Sequence, residues 1–224
     1  MKLYCHPITA TSRAILFLIK DQGLEIDVET VDIMKGAQKQ PEFLKLNPNG
    51  CIPVLQDEDY VLTESVAIMR YLAATHKLGC VPEGVRERGR MDEIIDWLVT
   101  GVTRELAYHV LYPQLFGVHH NESESARKEM IHAGLEKTRN YLRVLDGGWL
   151  SDGRSFLAGD SLTLADYLGT SILGLLQSVG SDLEPYPRLL AWLRGMTDRP
   201  SWSEVNAVFE GFASSLDRAS FELP

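Results

Sequence analysis

The chain has 224 residues, 45% hydrophobic and 24% charged, and its 22 basic and 31 acidic side chains leave a net charge of −9. That composition is too apolar for a disordered chain and, at about 150 residues per domain, allows one large domain or two small ones. The acidic balance excludes generic nucleic-acid binding and docking on an anionic membrane, since both need a basic footprint.

Lys2 to Cys5 is a short apolar run stopped by Pro7, which predicts a strand entering a turn. Ala14 to Lys20 predicts a helix, with Thr11 or Ser12 able to cap its start and Gly23 to close it. A second strand is predicted within Glu25–Ile33, and a short helix over Pro41–Leu46, opened by proline and stopped by Asn47-Pro48-Asn49-Gly50. Ile52–Gln56 and Tyr60–Thr63 form a hairpin around an acidic turn, and Glu64–Thr75 has helical spacing. The order β-α-β-α-β-β-α predicts a small mixed sheet with helices packed on it, residues 1–76. A linker, 77–86, carries Gly79, Pro82 and Gly84, and residues 87–224 read as all-helical. Stripes at Ile94–Leu106 and Ile131–Leu145 are amphipathic, Leu164–Leu176 is apolar nearly all round, and Leu189–Leu193 and Val205–Leu216 give shorter helices. Two unequal domains are expected.

Three cysteines (Cys5, Cys51, Cys80) lack CxxC spacing, so neither a disulfide framework nor a zinc site is expected, and the setting expected is a reducing cytoplasm. No secretory signal and no run of about 18 apolar residues is found. His109, His119 and His120 lack a third donor at metal-ligand spacing, so no metal is expected. Trp97, Trp149, Trp192 and Trp202 read as core anchors, and Cys80 as a free thiol.

Four segments carry chemistry or its framework. In Asn47–Leu55, Pro53 opens a strand; were Ile52–Pro53 cis, the Ile52 N–H and C=O would face outward as a pair able to bind a peptide-like ligand, the plainer reading being an edge-strand proline. Thr63-Glu64-Ser65 joins a strand to a helix, where free N–H groups favour a carboxylate and Glu64 could hold an ammonium, unless Thr63 or Ser65 is a simple cap. Thr9, Thr11 and Ser12 place three hydroxyls at a helix N-terminus, where a hydroxyl can donate to a thiolate or merely cap the helix. Thr163 and Asp166 form a capping box, flanked by Leu162 and Tyr167 as a hydrophobic staple.

Taken in this order, the four segments resemble the glutathione transferase family, across Met1 to about Phe209. Thr30–Gly36, Glu42-Phe43, Asn47-Pro48 and Leu111–Leu115 are most similar to its theta class and bacterial relatives. The resemblance implies a thioredoxin-like N-terminal α/β domain that binds glutathione and an all-α C-terminal bundle that forms the electrophile pocket. The tyrosine of other classes falls on Cys5, with Tyr4 on the opposite face of the strand, and the bacterial cysteine falls on Ala10. The theta serine falls on Thr9, followed by Ser12 and Arg13, so Thr9 and Ser12 are the catalytic candidates. Gln38 stands at a theta histidine and Cys51 at a theta lysine; with Lys39, Ile52, Pro53, Glu64 and Ser65 they make up the glutathione-binding set. Arg104, Tyr108 and Tyr112 are the substrate-pocket candidates, Arg104 facing either the cleft or solvent. The implied activity is transfer of glutathione to a small hydrophobic, halogenated or otherwise electrophilic substrate, by a cytoplasmic homodimer. Two rivals stay open: a glutathione-binding member without catalysis, and a glutathione-dependent disulfide or peroxide reductase.

Overall fold

The computed structural model describes residues 1–116, 123–217 and 221–224. Four strands, β1 (Lys2–Cys5), β2 (Asp27–Thr30), β3 (Val54–Asp57) and β4 (Tyr60–Thr63), form a sheet of order β2-β1-β3-β4. β1 runs parallel to β2 and antiparallel to β3, which pairs antiparallel with β4. The strand–helix–strand crossover and the hairpin anticipated from sequence are both formed.

Alternation along β1 sorts its side chains between two faces. Leu3 and Cys5 point into the main core under α1 (Ala10–Asp21) and α3 (Ser65–Thr75). Tyr4 points the other way, against Phe43 of α2 (Pro41–Leu46), with ring centroids 6.4 Å apart. The α1 helix starts four residues before the apolar run suggests, and its cap is Thr9, not Thr11 or Ser12: Thr9 Oγ1 accepts the Ser12 N–H at 3.3 Å.

Beyond the connection, α4 (Val85–Trp97) continues into a wide π-helical run, Leu98–Leu111, and then α5 (Tyr112–Leu115). α6 (Glu124–Val144) ends in a second wide turn at Leu145–Trp149, followed by α7 (Leu164–Val179), α8 (Pro187–Thr197) and α9 (Pro200–Ser214). α7 is buried along nearly its whole length, as its all-round apolarity requires. Its capping box is formed: the Asp166 carboxylate accepts from the Thr163 N–H at 2.8 Å and also from the Leu157 N–H at 2.8 Å and Trp192 Nε1–H at 3.0 Å. Trp192 and Trp202 are buried in the core, while Trp97 and Trp149 are half-buried and pack on each other at 4.5 Å.

One hydrophobic core runs through both parts of the chain. α7 and α9 close over α1. Tyr167 of α7, proposed as a staple residue, donates its hydroxyl to Asp21 at 2.6 Å. Arg199 and Ser201 donate to the same carboxylate. No helix among the described residues is long and apolar enough to cross a membrane.

Candidate functional site

A cavity of about 550 Å³ opens where the sheet end of the first part meets the π-helical run, α5 and α7. That size suits a small-molecule ligand. From the first part it is lined by Ile8 to Thr11, Ile33, Met34, Gln38, Ile52, Glu64 and Ser65; from the second by Val99, Thr103, Tyr108, Tyr112, Phe116, Leu168 and Ile172.

Thr9 reaches this cavity while capping α1. Its Oγ1 lies 2.7 Å from the Ser12 Oγ and 3.2 Å from the His6 carbonyl. Ser12 is fully buried behind it and does not line the cavity. Since either hydroxyl of such a pair can donate, Ser12 can give its proton to Thr9 and free the Thr9 proton for a ligand.

The Ile52–Pro53 bond is cis. Ile52 lines the cavity just before Val54, the first paired residue of β3, while Pro53 is buried and Cys51 is exposed at the rim, its Sγ 3.5 Å from the Asn49 carbonyl. At α3, neither Thr63 nor Ser65 acts as the expected cap. Glu64 occupies the cap position with φ +67° and no side chain accepts the first-turn N–H groups. These donors and the positive end of the helix dipole therefore stay available to an anion. Gln38 lines the cavity, and its buried Oε1 has no hydrogen-bond partner. Lys39 stands beside it, Nζ donating to the Asn49 carbonyl at 3.1 Å. Gly50 makes room for that side chain: a Cβ there would stand 2.8 Å from Lys39 Cδ.

On the helical wall, Val99, Thr103, Tyr108 and Tyr112 face the cavity at spacings of four, five and four residues. This is the repeat of a π-helix, about 4.4 residues per turn, and Thr103 Oγ1 donates to the Leu98 carbonyl five residues back at 2.8 Å. The same winding turns Arg104 out of the lining. Its Nε pairs at 2.9 Å with Glu105, a fully buried carboxylate also held by His109 at 2.9 Å and Lys137 at 3.4 Å. Burial opposes the Glu105 charge, but the hydrogen bonds from His109 and Arg104 outweigh it and hold the carboxyl below the usual range. Burial pushes the Tyr112 hydroxyl up to about 12 and also raises that of Tyr108, so both stay protonated donors. Burial likewise pushes the Cys5 thiol up to about 12, which leaves it unreactive.

Sequence reasoning missed Val99, Thr103, Phe116, Leu168 and Ile172 of the helical wall; only the four-five-four spacing to Tyr108 and Tyr112 could have pointed to the first two. His119 and His120 lie outside the described residues. Among the described residues, no three His, Cys, Asp or Glu side chains are grouped to hold a metal.

Two family models match the chain: glutathione S-transferase, N-terminal domain, over residues 1–74, and glutathione S-transferase, C-terminal domain, over residues 97–200. Glutathione S-transferase theta-1 of Bos taurus is 32% identical over 86% of this chain and 80% of its own length. Glutathione S-transferase theta-2 of Homo sapiens is 33% identical over 86% and 78%. The crystal structure of human glutathione transferase theta-2, in complex with glutathione and an unknown ligand, superposes with a TM-score of 0.87 at 27% identity, covering 100% of this chain and 93% of that one. A Sulfitobacter glutathione transferase homologue with bound glutathione gives 0.78 at 26% identity, over 92% and 97%. With its sheet, its helical bundle and both domain models matched in order, the chain belongs to the glutathione S-transferase family.

Proposed function

We propose that the protein is a glutathione S-transferase whose cavity holds glutathione against the first domain and a small hydrophobic electrophile against the helical wall. The observation that carries this reading is the convergence of three separate elements on one cavity: Thr9 at the start of α1, Ile52 beside the cis proline, and Glu64 and Ser65 at the uncapped start of α3. The Ile52 backbone pairs with the cysteinyl backbone of glutathione as a short antiparallel strand. Ser65 and the free N–H groups of α3 hold the γ-glutamyl carboxylate, and Glu64 its ammonium. Gln38 and Lys39 hold the glycine end, with Cys51 and Pro53 shaping the rim.

Thr9 donates to the thiolate, and Ser12 acts through Thr9. The thiolate then attacks carbon and displaces a halide or comparable leaving group. Tyr108 and Tyr112 flank the electrophile, while Arg104, paired with Glu105, belongs to the helix packing. The three cysteines are free thiols, in keeping with a cytoplasmic protein, and the assembly proposed is a homodimer.

A second reading rests on the Thr9 hydroxyl, already engaged by Ser12 and His6: if its proton never turns to the ligand, the cavity binds glutathione without activating it. Initial rates of conjugate formation with an alkyl or aryl halide decide between them. Thr9→Ala is expected to lose about tenfold in kcat/KM, the worth of one charge-assisted hydrogen bond. Absence of any conjugate from the wild-type protein, despite bound glutathione, would leave the binding reading.

A further inference from the structure

The cavity lining contains Glu64 but, among the described residues, no lysine, arginine or histidine. The whole chain carries −9. A site that ionises a thiol needs positive potential, and one hydroxyl and a helix end supply only part of it.

Arg13 lies directly behind that lining and is fully buried. Its Nη1 donates to the carbonyls of Ile8 at 3.0 Å and Pro7 at 3.3 Å, the two residues leading into Thr9. Its Nη2 donates to the Ser171 carbonyl of α7 at 3.4 Å, and the guanidinium stacks over the Phe209 ring of α9 at 4.0 Å. All these acceptors are neutral, and Nε has no partner. Glu210 and Tyr112 act on it only through longer-range charge, and Glu210 accepts a hydrogen bond from Asn206 instead. Burial lowers the Arg13 pKa to about 10, so it remains a cation at neutral pH. A buried cation without a carboxylate is costly unless a counter-charge arrives. Its field does reach the cavity: it favours the ionised form of Tyr112, a lining residue.

We propose that Arg13 is the principal electrostatic source for ionising the glutathione thiol, acting through the Pro7–Thr9 turn that it also positions, with Thr9 adding one hydrogen bond. The inference rests on the glutathione reading above. The thiol proton leaves to water, no bond forms to Arg13, and the incoming thiolate supplies the counter-charge the guanidinium lacks. The other titratable groups lining the cavity are Glu64, which opposes ionisation, and Tyr108 and Tyr112, which stay protonated; His6, beside the Pro7–Thr9 turn but outside the lining, accepts the Ile8 N–H on Nδ1 and is neutral.

The test is the pH titration of thiolate absorbance in the glutathione complexes of the wild type, Thr9→Ala, Arg13→Lys and Arg13→Gln, with S-methylglutathione binding measured in parallel. Thr9→Ala and Arg13→Lys are expected to keep the bound thiol clearly more acidic than in free glutathione. Arg13→Gln is expected to raise it by about one unit or more, a tenfold loss of thiolate at a given pH. If Arg13→Gln weakens S-methylglutathione binding but leaves the bound thiol as acidic as in the wild type, Arg13 only shapes the turn and the proposal is overturned. Should that variant not fold, Thr9→Ala decides: loss of all thiolate there would make Thr9 the source and overturn the proposal. A wild-type complex without thiolate would defeat the transferase reading itself, a separate failure.

Discussion

Thr9 Oγ1 accepts the N–H that begins α1 and stands at the cavity edge 2.7 Å from the Ser12 hydroxyl. The three hydroxyls after β1 were legible in the sequence, but their division of labour was not. Ala10 to Arg13 precedes the apolar run, yet Ala10, Ser12 and Arg13 are buried because α7 and α9 cover them. The contact from Arg13 to Ser171 spans 158 residues, and no local pattern contains it. His6 offers a test at this scale. Its Nδ1 must stay unprotonated to accept the Ile8 N–H at 3.1 Å, and burial holds its pKa below the ordinary 6.5, with Asp32 opposing. A folded-state value below the unfolded one means that this contribution to stability is complete above about 6.5 and is lost as pH falls through the lower folded value. The urea midpoint of the wild type should therefore fall as pH drops from about 7 to about 5. His6→Asn, whose side-chain oxygen can accept from the same N–H without titrating, should flatten that dependence; equal slopes in both proteins would rule out the role.

At the scale of elements, strands, hairpin and α7 followed from period and turn residues. Tyr60–Thr63 and Pro41–Leu46 form with the bounds read from the sequence. What could not be read was the winding of Leu98–Leu111. A helical stripe looks the same at 3.6 and at about 4.4 residues per turn over two turns, so the sequence leaves Arg104 facing either the cleft or solvent, where the structure turns it out of the lining and onto Glu105. α7 shows the opposite case, because its capping box is local and legible. Asp166 there receives three buried N–H donors, from Thr163, Leu157 and Trp192. Asp166→Ala leaves them unpaired, and the expected loss is about 3–5 kcal/mol in denaturant unfolding. A loss below about 1 kcal/mol would show that water or backbone rearrangement replaces the carboxylate.

At the scale of the molecule, the helical domain does more than wall the cavity. Asp21, at the end of α1, is tied to Arg199, Ser201 and Tyr167, and the start of α1 is tied to Ser171 and Phe209. Burial opposes the Asp21 charge, but hydrogen bonds from Arg199, Ser201 and Tyr167 outweigh it and hold the carboxyl below its ordinary range. Both ends of the helix that carries Thr9 are therefore fixed by the other domain. The negative net charge and a cavity lined by a single carboxylate run against an anionic ligand, and the uncapped start of α3, Lys39 and the buried Arg13 run for it. Whether these local donors prevail is decided by titrating the protein with glutathione at neutral pH and following thiolate absorbance. Absorbance that grows with occupancy and saturates with the sites, at a pH where free glutathione remains a thiol, is the predicted result. Saturable binding with no thiolate absorbance would contradict it.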